Sequence, residues 1–368
     1  MSEHIYKSYS EIANDRTRGN IAKAYFFLDT EFNIYSDSDH LIKEVDKYVA
    51  PHMQNSIQQE TKEVWNIFYL NGKVDVVQNR TEKILGIYGV ESVLLAKTHE
   101  DDNGITFWGN NESGNEIVLN RTTREGYVIY NSEIITLAVI EDCYAIVRNI
   151  CYEILKKKNA ILLHGCAMKY NNKGILFIGE KGAGKTSIQH YALQELGAGF
   201  ISSDRTFIWK EEDKIFCSGW MSTYRINIDL LKLLPENEKT RQLEKYYERK
   251  REDPFYFQNN KIRIAPQELA SFIRCSVAGI ATLNCIVLLG EGLNEKKYAL
   301  KVLQHEEVIG SLIEHVIDPY SYNRECSKGL NDINEIRACI ESDTKIYGLT
   351  GRDKLDNIKI LLDMMSEG

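Results

Sequence analysis

The stretch Gly174-Ile-Leu-Phe-Ile-Gly-Glu-Lys-Gly-Ala-Gly-Lys-Thr186 decides what kind of fold the chain has. An apolar run, Ile175 to Ile178, ends at Gly179, and Gly-x-x-x-x-Gly-Lys-Thr follows in full over Gly179–Thr186. Ser187 to Leu196 then patterns as a helix. A strand, a glycine turn and a helix in that order make a phosphate-binding loop. Gly179, Gly182 and Gly184 let the backbone curl so that successive N–H groups point inward. The helix start adds partial positive charge. Lys185 brings a point charge to the β/γ-phosphates, and Thr186 offers a hydroxyl to Mg²⁺. The candidate nucleotide-binding residues are therefore Gly179, Gly182, Ala183, Gly184, Lys185, Thr186 and Ser187, with ATP and Mg²⁺ as the expected ligands.

Downstream stands Gly199-Phe-Ile-Ser-Ser-Asp204-Arg-Thr-Phe-Ile-Trp209. Asp204 lies 204 − 185 = 19 residues after the loop lysine, one helix out and one strand back. A carboxylate returned to the phosphate site can hold Mg²⁺ beside Thr186 or take up a proton. Two types of P-loop kinase place an acid at this distance: the shikimate and nucleoside monophosphate kinases, and the HPr kinase/PEP carboxykinase group. The neighbouring pattern separates them. Thr206–Trp209, Lys210–Asp213 and Lys214–Cys217 read as strand, polar turn, strand, and so do Ile161–Met168, Lys169–Lys173 and Gly174–Ile178. Hairpins on both sides of the loop predict a mixed α/β fold, not a doubly wound parallel sheet.

Taken in order, His164-Gly165, Gly174–Thr186 and Ser203-Asp204-Arg205 resemble the HPr kinase/phosphorylase family over about residues 160–210. The chain looks like a divergent relative of that family and not an HPr kinase itself. The family's long signature after its acids is not recognisable, and residues 1–150 do not look like its leading domain. The resemblance implies that Asp204 is the acid associated with Mg²⁺. Ser203 stands where the family has a second acid, a position it cannot serve as a base. The resemblance also places His164 near the γ-phosphate, which makes it the substitute proton acceptor, and makes Arg205 a charge stabiliser. Relatives assemble as rings, which implies a homo-oligomer here.

The 368 residues predict about two domains. Hydrophobic residues at 43% and charged residues at 27% suit a globular core, and the net charge of −8 excludes a bulk field for nucleic acid. Eight cysteines lie far apart without a Cys-x-x-Cys pair, and the eight histidines share no ligand spacing with them. That pattern fits reduced core thiols in a cytoplasmic protein and argues against structural zinc. The chain start lacks the apolar core of a secretory signal, and no apolar run is long enough for a membrane span.

Residues 1–150 pattern as an antiparallel α+β domain suited to substrate or partner recognition, and 151–368 as the P-loop domain. In the first, Ala24–Leu28 and Phe32–Tyr35 predict strands, and Ser38 predicts the cap of a helix to Val49. Asn71-Gly72 between Val64–Leu70 and Lys73–Val77 predicts a hairpin. Further short strands are expected at Ser92–Ala96, Ile105–Trp108, Glu116–Leu119 and Gly126–Tyr130, with a helix over about Glu133–Lys157. Arg225, Arg263 and Arg274 are candidates to reach phosphate, and the basic stretch Lys239–Arg251 is a candidate flap over an acceptor. Arg352–Met365 predicts a terminal helix.

The functional expectation is an ATP-dependent kinase moving the γ-phosphate to a hydroxyl, on a serine of a peptide or small protein or on a small metabolite. Its catalytic residues would be His164, Lys185, Asp204 and Arg205, with metal at Thr186 and Asp204. With Ser203 in place of an acid, the alternative is a nucleotide-binding partner protein that transfers no phosphate. A shikimate-type small-molecule kinase is the second alternative.

Overall fold

Short alternating strands before residue 130 and longer apolar runs after residue 160 build two different sheets. The computed structural model describes residues 21–53, 61–72, 83–87, 94–100, 105–109, 114–232, 234, 236–290, 299–317, 344–350 and 358–363, with positions 11, 13, 15, 334, 336, 337 and 340. One structural unit falls within residues 1–151, and the other is built from Tyr152–Asp318 and Arg324–Gly368.

The first unit contains β1 (Lys23–Phe27), β2 (Thr30–Ser36), α1 (Asp39–Val49), β3 (Glu63–Asn71), β4 (Lys83–Ile87), β5 (Leu94–Glu100), β6 (Ile105–Gly109), β7 (Glu116–Asn120) and β8 (Glu125–Tyr130). Helix α2 (Leu137–Lys157) follows. Ser38 caps α1 by accepting the Leu41 N–H at 3.2 Å, and Leu41, Val45 and Val49 are its buried stripe. Among the described residues the sheet order is β1-β2-β3-β8-β7-β6-β5-β4.

The expectation of an antiparallel sheet needs correction. β3 pairs in parallel with both β2 and β8, while the remaining neighbours are antiparallel. The hairpin expected at Asn71-Gly72 fails for the same reason: both edges of β3 are occupied, and the Gly72 N–H goes to Tyr130 O at 2.8 Å. Lys73–Val77 lies outside the described residues. Gly126 marks a close approach of sheet to helix, since a Cβ there would stand 2.6 Å from Ile146 Cδ1 on α2.

In the second unit the strands are β9 (Ile161–Leu163), β10 (Gly165–Tyr170), β11 (Lys173–Gly179), β12 (Gly199–Ser202), β13 (Thr206–Glu211), β14 (Lys214–Gly219), β15 (Tyr224–Asn227), β16 (Phe257–Gln258), β17 (Lys261–Ile264), β18 (Ile280–Leu289), β19 (Ala299–Val302) and β20 (Lys345–Thr350). The helices are α3 (Lys185–Glu195), α4 (Ile228–Leu231), α5 (Glu238–Lys250), α6 (Pro266–Ile273) and α7 (His305–Glu314). The main sheet runs β12-β10-β11-β18-β14-β13-β9, with β20 also on β18 and β19 on β20.

Both expected hairpins flank the loop strand: β10 with β11, and β13 with β14, all antiparallel. Their turns use Asn171 and Asn172 at φ 46° and 63°, and Glu212 at φ 54°. β11 is parallel only to β18, so the sheet is mixed. It lacks the all-parallel order that the shikimate-type alternative requires. Ile161–Met168 is not one strand, as expected from its apolar run, but two. β9 pairs with β13 and β10 pairs with β11 and β12, with a bend at His164 between them.

One face of the sheet packs Ile175, Phe177 and Cys285 against α3 and against the three-stranded excursion β15-β17-β16 with its helices. The opposite face packs Leu176, Ile178 and Ile286 against Val308, Ile309 and Leu312 of α7. Residues 358–363 are helical, with Ile358, Leu361 and Leu362 buried, and the rest of the expected terminal helix lies outside the described residues. Cys143, Cys151, Cys166, Cys217 and Cys285 are buried free thiols and Cys275 is a partly buried one, while Cys326 and Cys339 lie outside the described residues. Among the described residues no helix is long and apolar enough to cross a membrane.

Candidate functional site

β11 delivers the chain from the core: Ile175, Leu176, Phe177 and Ile178 are fully buried between β10 and β18. At its end Gly179 passes so close to β18 that a Cβ would stand 2.4 Å from Leu289 O. Gly182 and Gly184 hold φ 89° and 94°, a region open to glycine and costly for other residues. The loop closes on itself through Ala183 N–H to Glu180 O at 3.0 Å, with the Ala183 methyl buried. Gly184 is the N-cap of α3 and brings no side chain, so no side chain caps the first-turn amides. Thr186 and Ser187 sit partly exposed in that turn.

The Lys185 side chain folds back into the loop. Its ammonium donates to Gly179 O and, at 3.2 Å, to Glu180 O, and it is almost fully buried. Burial pushes its pKa down, against the opposing pull of Cys166, Asp204 and Glu180. The Cys166 thiol donates to Lys185 O at 3.6 Å, and burial raises its own pKa to about 12. It is a packed thiol, not a nucleophile.

His164 and Asp204 come together at a double corner. β9 bends at His164 into β10, and β12 bends through Ser203, Asp204 and Arg205 into β13. Because β10 pairs with β12 and β9 with β13, the two bends coincide. His164 Nε2 lies 3.0 Å from Asp204 Oδ1, and Arg205 Nε lies 4.0 Å from Asp204 Oδ2. Asp204 is half exposed. Burial would raise its pKa, but the His164 hydrogen bond and the charges of His164, Arg205 and Arg225 outweigh it and hold the carboxyl well below the usual range.

Hydroxyl and amide groups lock this corner. Ser202 Oγ accepts the Ala167 N–H at 2.9 Å and meets the Thr206 hydroxyl, which donates to Gly165 O at 2.9 Å. Gln189 of α3 donates to Ala167 O at 2.8 Å and to Ser202 O at 2.6 Å, tying the loop helix to both strands. Nothing in the sequence pattern marks Gln189, which is one polar residue of an ordinary helix.

Ser203 turns its hydroxyl to Thr223 O at 3.4 Å. Thr223 Oγ1 in turn meets Nε of buried Arg263 at 3.5 Å, and Arg263 Nη1 donates to Phe255 O at 2.8 Å. Arg263 therefore braces the backbone and does not reach for phosphate. Arg274, at φ 55°, is the C-cap of α6. Arg225, partly exposed on β15, stands opposite Arg263 in the register and acts electrostatically on Asp204. The expected basic flap is a packed helix. α5 buries Leu243 and Tyr246, and its Thr240 and Lys239 bond Gln194, at the end of α3 away from the loop.

A second histidine completes the surroundings. His315 follows α7, accepts the His164 N–H on its carbonyl at 2.7 Å, and places its ring 6.3 Å from the His164 ring. Burial lowers its pKa; Glu180 opposes that shift, and His164 and Lys185 add to it. Sequence reasoning misses His315, because it lies far from the motifs and in no recognisable pattern. Among the described residues no group of three or more His, Cys, Asp or Glu has metal-site geometry.

Together these features define a mixed α/β unit with a phosphate-loop shape: a buried strand, a glycine turn and an uncapped helix start, with a His–Asp pair alongside. No family model matches the chain, and no curated protein matches it. Among solved structures, the Hpr(Ser) kinase/phosphatase from Coxiella burnetii is similar over 56% of this chain and 99% of that one, at 10% identity and a TM-score of 0.28. A likeness of that size carries no functional weight, so the chemistry rests on the residues themselves.

Proposed function

We propose that the second unit is a Mg-ATP-dependent kinase of the HPr kinase/PEP carboxykinase type, transferring the γ-phosphate to a hydroxyl. The observation that carries the reading is the His164–Asp204 contact at 3.0 Å beside the loop that Lys185 closes. Phosphoryl transfer needs positioning and charge neutralisation more than covalent help from the protein. The loop amides and Lys185 would hold the β/γ-phosphates, the ammonium exchanging its own loop carbonyls for phosphate oxygens. His164, hydrogen-bonded to Asp204, would take up the acceptor hydroxyl's proton as that hydroxyl attacks, with Asp204 orienting the ring and balancing the charge it gains. Arg205 and Arg225, both acting on Asp204, would balance charge at the transferring group.

The donor set fits magnesium. A hydroxyl and one carboxylate held ionised suit a hard cation that keeps water and phosphate oxygens as its other ligands. Thr186 and Asp204 would hold it, and when bound it neutralises charge on the phosphate oxygens. The acceptor class remains a serine of a peptide or small protein, or a small metabolite. Recognition of it falls to the first unit, in a cytoplasmic homo-oligomer.

One observation favours a second reading. Ser203, where the family has an acid, spends its hydroxyl on Thr223 O and offers no base, which suits a protein that binds nucleotide and transfers nothing. Calorimetric titration of Mg-ATP and Mg-GTP into wild type and Lys185→Ala, followed by γ-labelled turnover, decides between them. Binding lost in the variant, with turnover in wild type that falls in His164→Ala, supports the kinase. Tight binding without turnover or transfer moves the assignment to the non-transferring protein, and no binding sinks both.

A further inference from the structure

Resting on the kinase reading, we propose that His315 is a second imidazole of the phosphate site, contacting the transferred phosphoryl group beside His164 and acting on transfer, not on nucleotide binding.

The position is built, not incidental. The chain leaving α7 is laid against β9 by the His164 N–H on His315 O at 2.7 Å, by the Ile317 N–H on Leu162 O at 2.8 Å, and by an antiparallel bridge between Leu163 and Val316. The His315 N–H goes back to Leu312 O at 3.0 Å, so the residue is fixed on both sides of its Cα. These bonds use only main chain. The imidazole contributes nothing to them, and any residue but proline would allow them. A histidine held so firmly by its backbone leaves its ring available for another task.

The ring's surroundings indicate which task. It stands 6.3 Å from the His164 ring, tilted by 56°, and His164 already commits Nε2 to Asp204. His164 therefore neighbours both the acid and the second imidazole. Other groups that act on the His315 ring are Glu180 and Lys185, both in the phosphate loop, and Glu314 on its own segment. Burial with Lys185 and His164 nearby favours the neutral ring, which carries one N–H donor and one lone pair. A neutral donor can bond a phosphoryl oxygen without competing with Lys185 for the same charge. Such a bond, aimed where negative charge is redistributed during transfer, stabilises the transferring group more than the bound nucleotide.

The test compares binding of Mg-ADP with binding of Mg-ADP plus aluminium fluoride, a planar mimic of the transferring phosphoryl group, by calorimetry on the full chain. Wild type should bind the fluoride complex more tightly than ADP alone. His315→Ala should weaken the fluoride complex by about 10- to 100-fold, the worth of one hydrogen bond to a charged group, and leave ADP affinity within about twofold. His315→Asn and His315→Gln place an amide N–H near Nδ1 and Nε2 respectively, and one of them should recover part of the loss. A purely structural role would weaken both ligands equally and lower the melting temperature.

Equal losses for the two ligands, or no loss in any variant, overturn the role given to His315 and leave the kinase reading standing. If wild type binds ADP but gains nothing from aluminium fluoride, the inference falls and the non-transferring reading takes over. If wild type binds no nucleotide, the kinase reading itself has failed.

Discussion

Replacing Gln189 tests whether the corner that carries His164 and Asp204 is held from the loop helix. Its Nε2 donates to Ala167 O and Ser202 O, and both partners are acceptors, so the amide orientation is dictated by its surroundings. The side chain is fully buried, with Oε1 lacking a hydrogen-bond partner. Gln189→Met keeps the volume and removes both donated bonds. At about 0.5–1.5 kcal/mol each, the loss is about 1–3 kcal/mol, and removal of the orphaned oxygen offsets part of it. A net cost of about 2 kcal/mol in a unit of this size lowers its melting temperature by about 4–8 °C. Trp209 and Trp220, both buried in this unit, report the transition by fluorescence. Gln189→Glu supplies an internal control. A carboxylate facing two carbonyl oxygens would have its folded pKa raised above its unfolded value. The penalty should therefore grow as pH rises from about 4 towards 7, whereas the Met variant should show no such slope. A shift below about 1 °C in both variants would refute the claim that these bonds hold the corner.

Lys185→Ala should abolish Mg-ATP binding detectable by calorimetry while changing the melting temperature little, because the ammonium bonds only loop carbonyls. His164→Ala should lower turnover by about 100-fold with nucleotide affinity within about twofold, the range for a lost general base; a parallel loss of affinity would point to a binding role instead. The Asp204 carboxyl is held below the ordinary aspartate value near 3.8, so its partners stabilise the fold above that pH and stop doing so as pH falls through the lower folded value. The melting-temperature gap between wild type and Asp204→Asn should accordingly narrow between about pH 5 and pH 2. Gly182→Ala meets no atom within 4 Å but must adopt φ 89°, so its cost of about 1–2 kcal/mol is conformational and should appear as weaker nucleotide binding.

The loop's conformation was legible because it rests on local backbone demands: Gly182 and Gly184 take left-handed torsions that glycine adopts without strain. The flanking hairpins were legible for a similar reason, since Asn171, Asn172 and Glu212 mark turns that no long-range contact has to choose. The bend at His164 was not. An unbroken apolar run reads as one strand, and only the different partners of β9 and β10 divide it. Asn71-Gly72 misled for the opposite reason. The local turn signal was strong, but β2 and β8 had already taken both edges of β3, and such pairing is settled by the whole sheet. His315 reaches the site only because residues 315–317 lie against β9, about 150 residues away along the chain.

The paired corner has a mechanical consequence. Two segments of chain some 40 residues apart turn together, each hydrogen-bonded to the other before and after the turn. They behave as the two leaves of one hinge, so opening or closing the corner carries histidine and aspartate in step and leaves their spacing alone. The contact can thus tolerate breathing of the sheet on either side. Unequal growth of the two leaves needs a bulge to absorb it, as the register step between Ala167 and Met168 already does by leaving Ile201 of β12 unopposed, while a matched change in both leaves keeps the pairing.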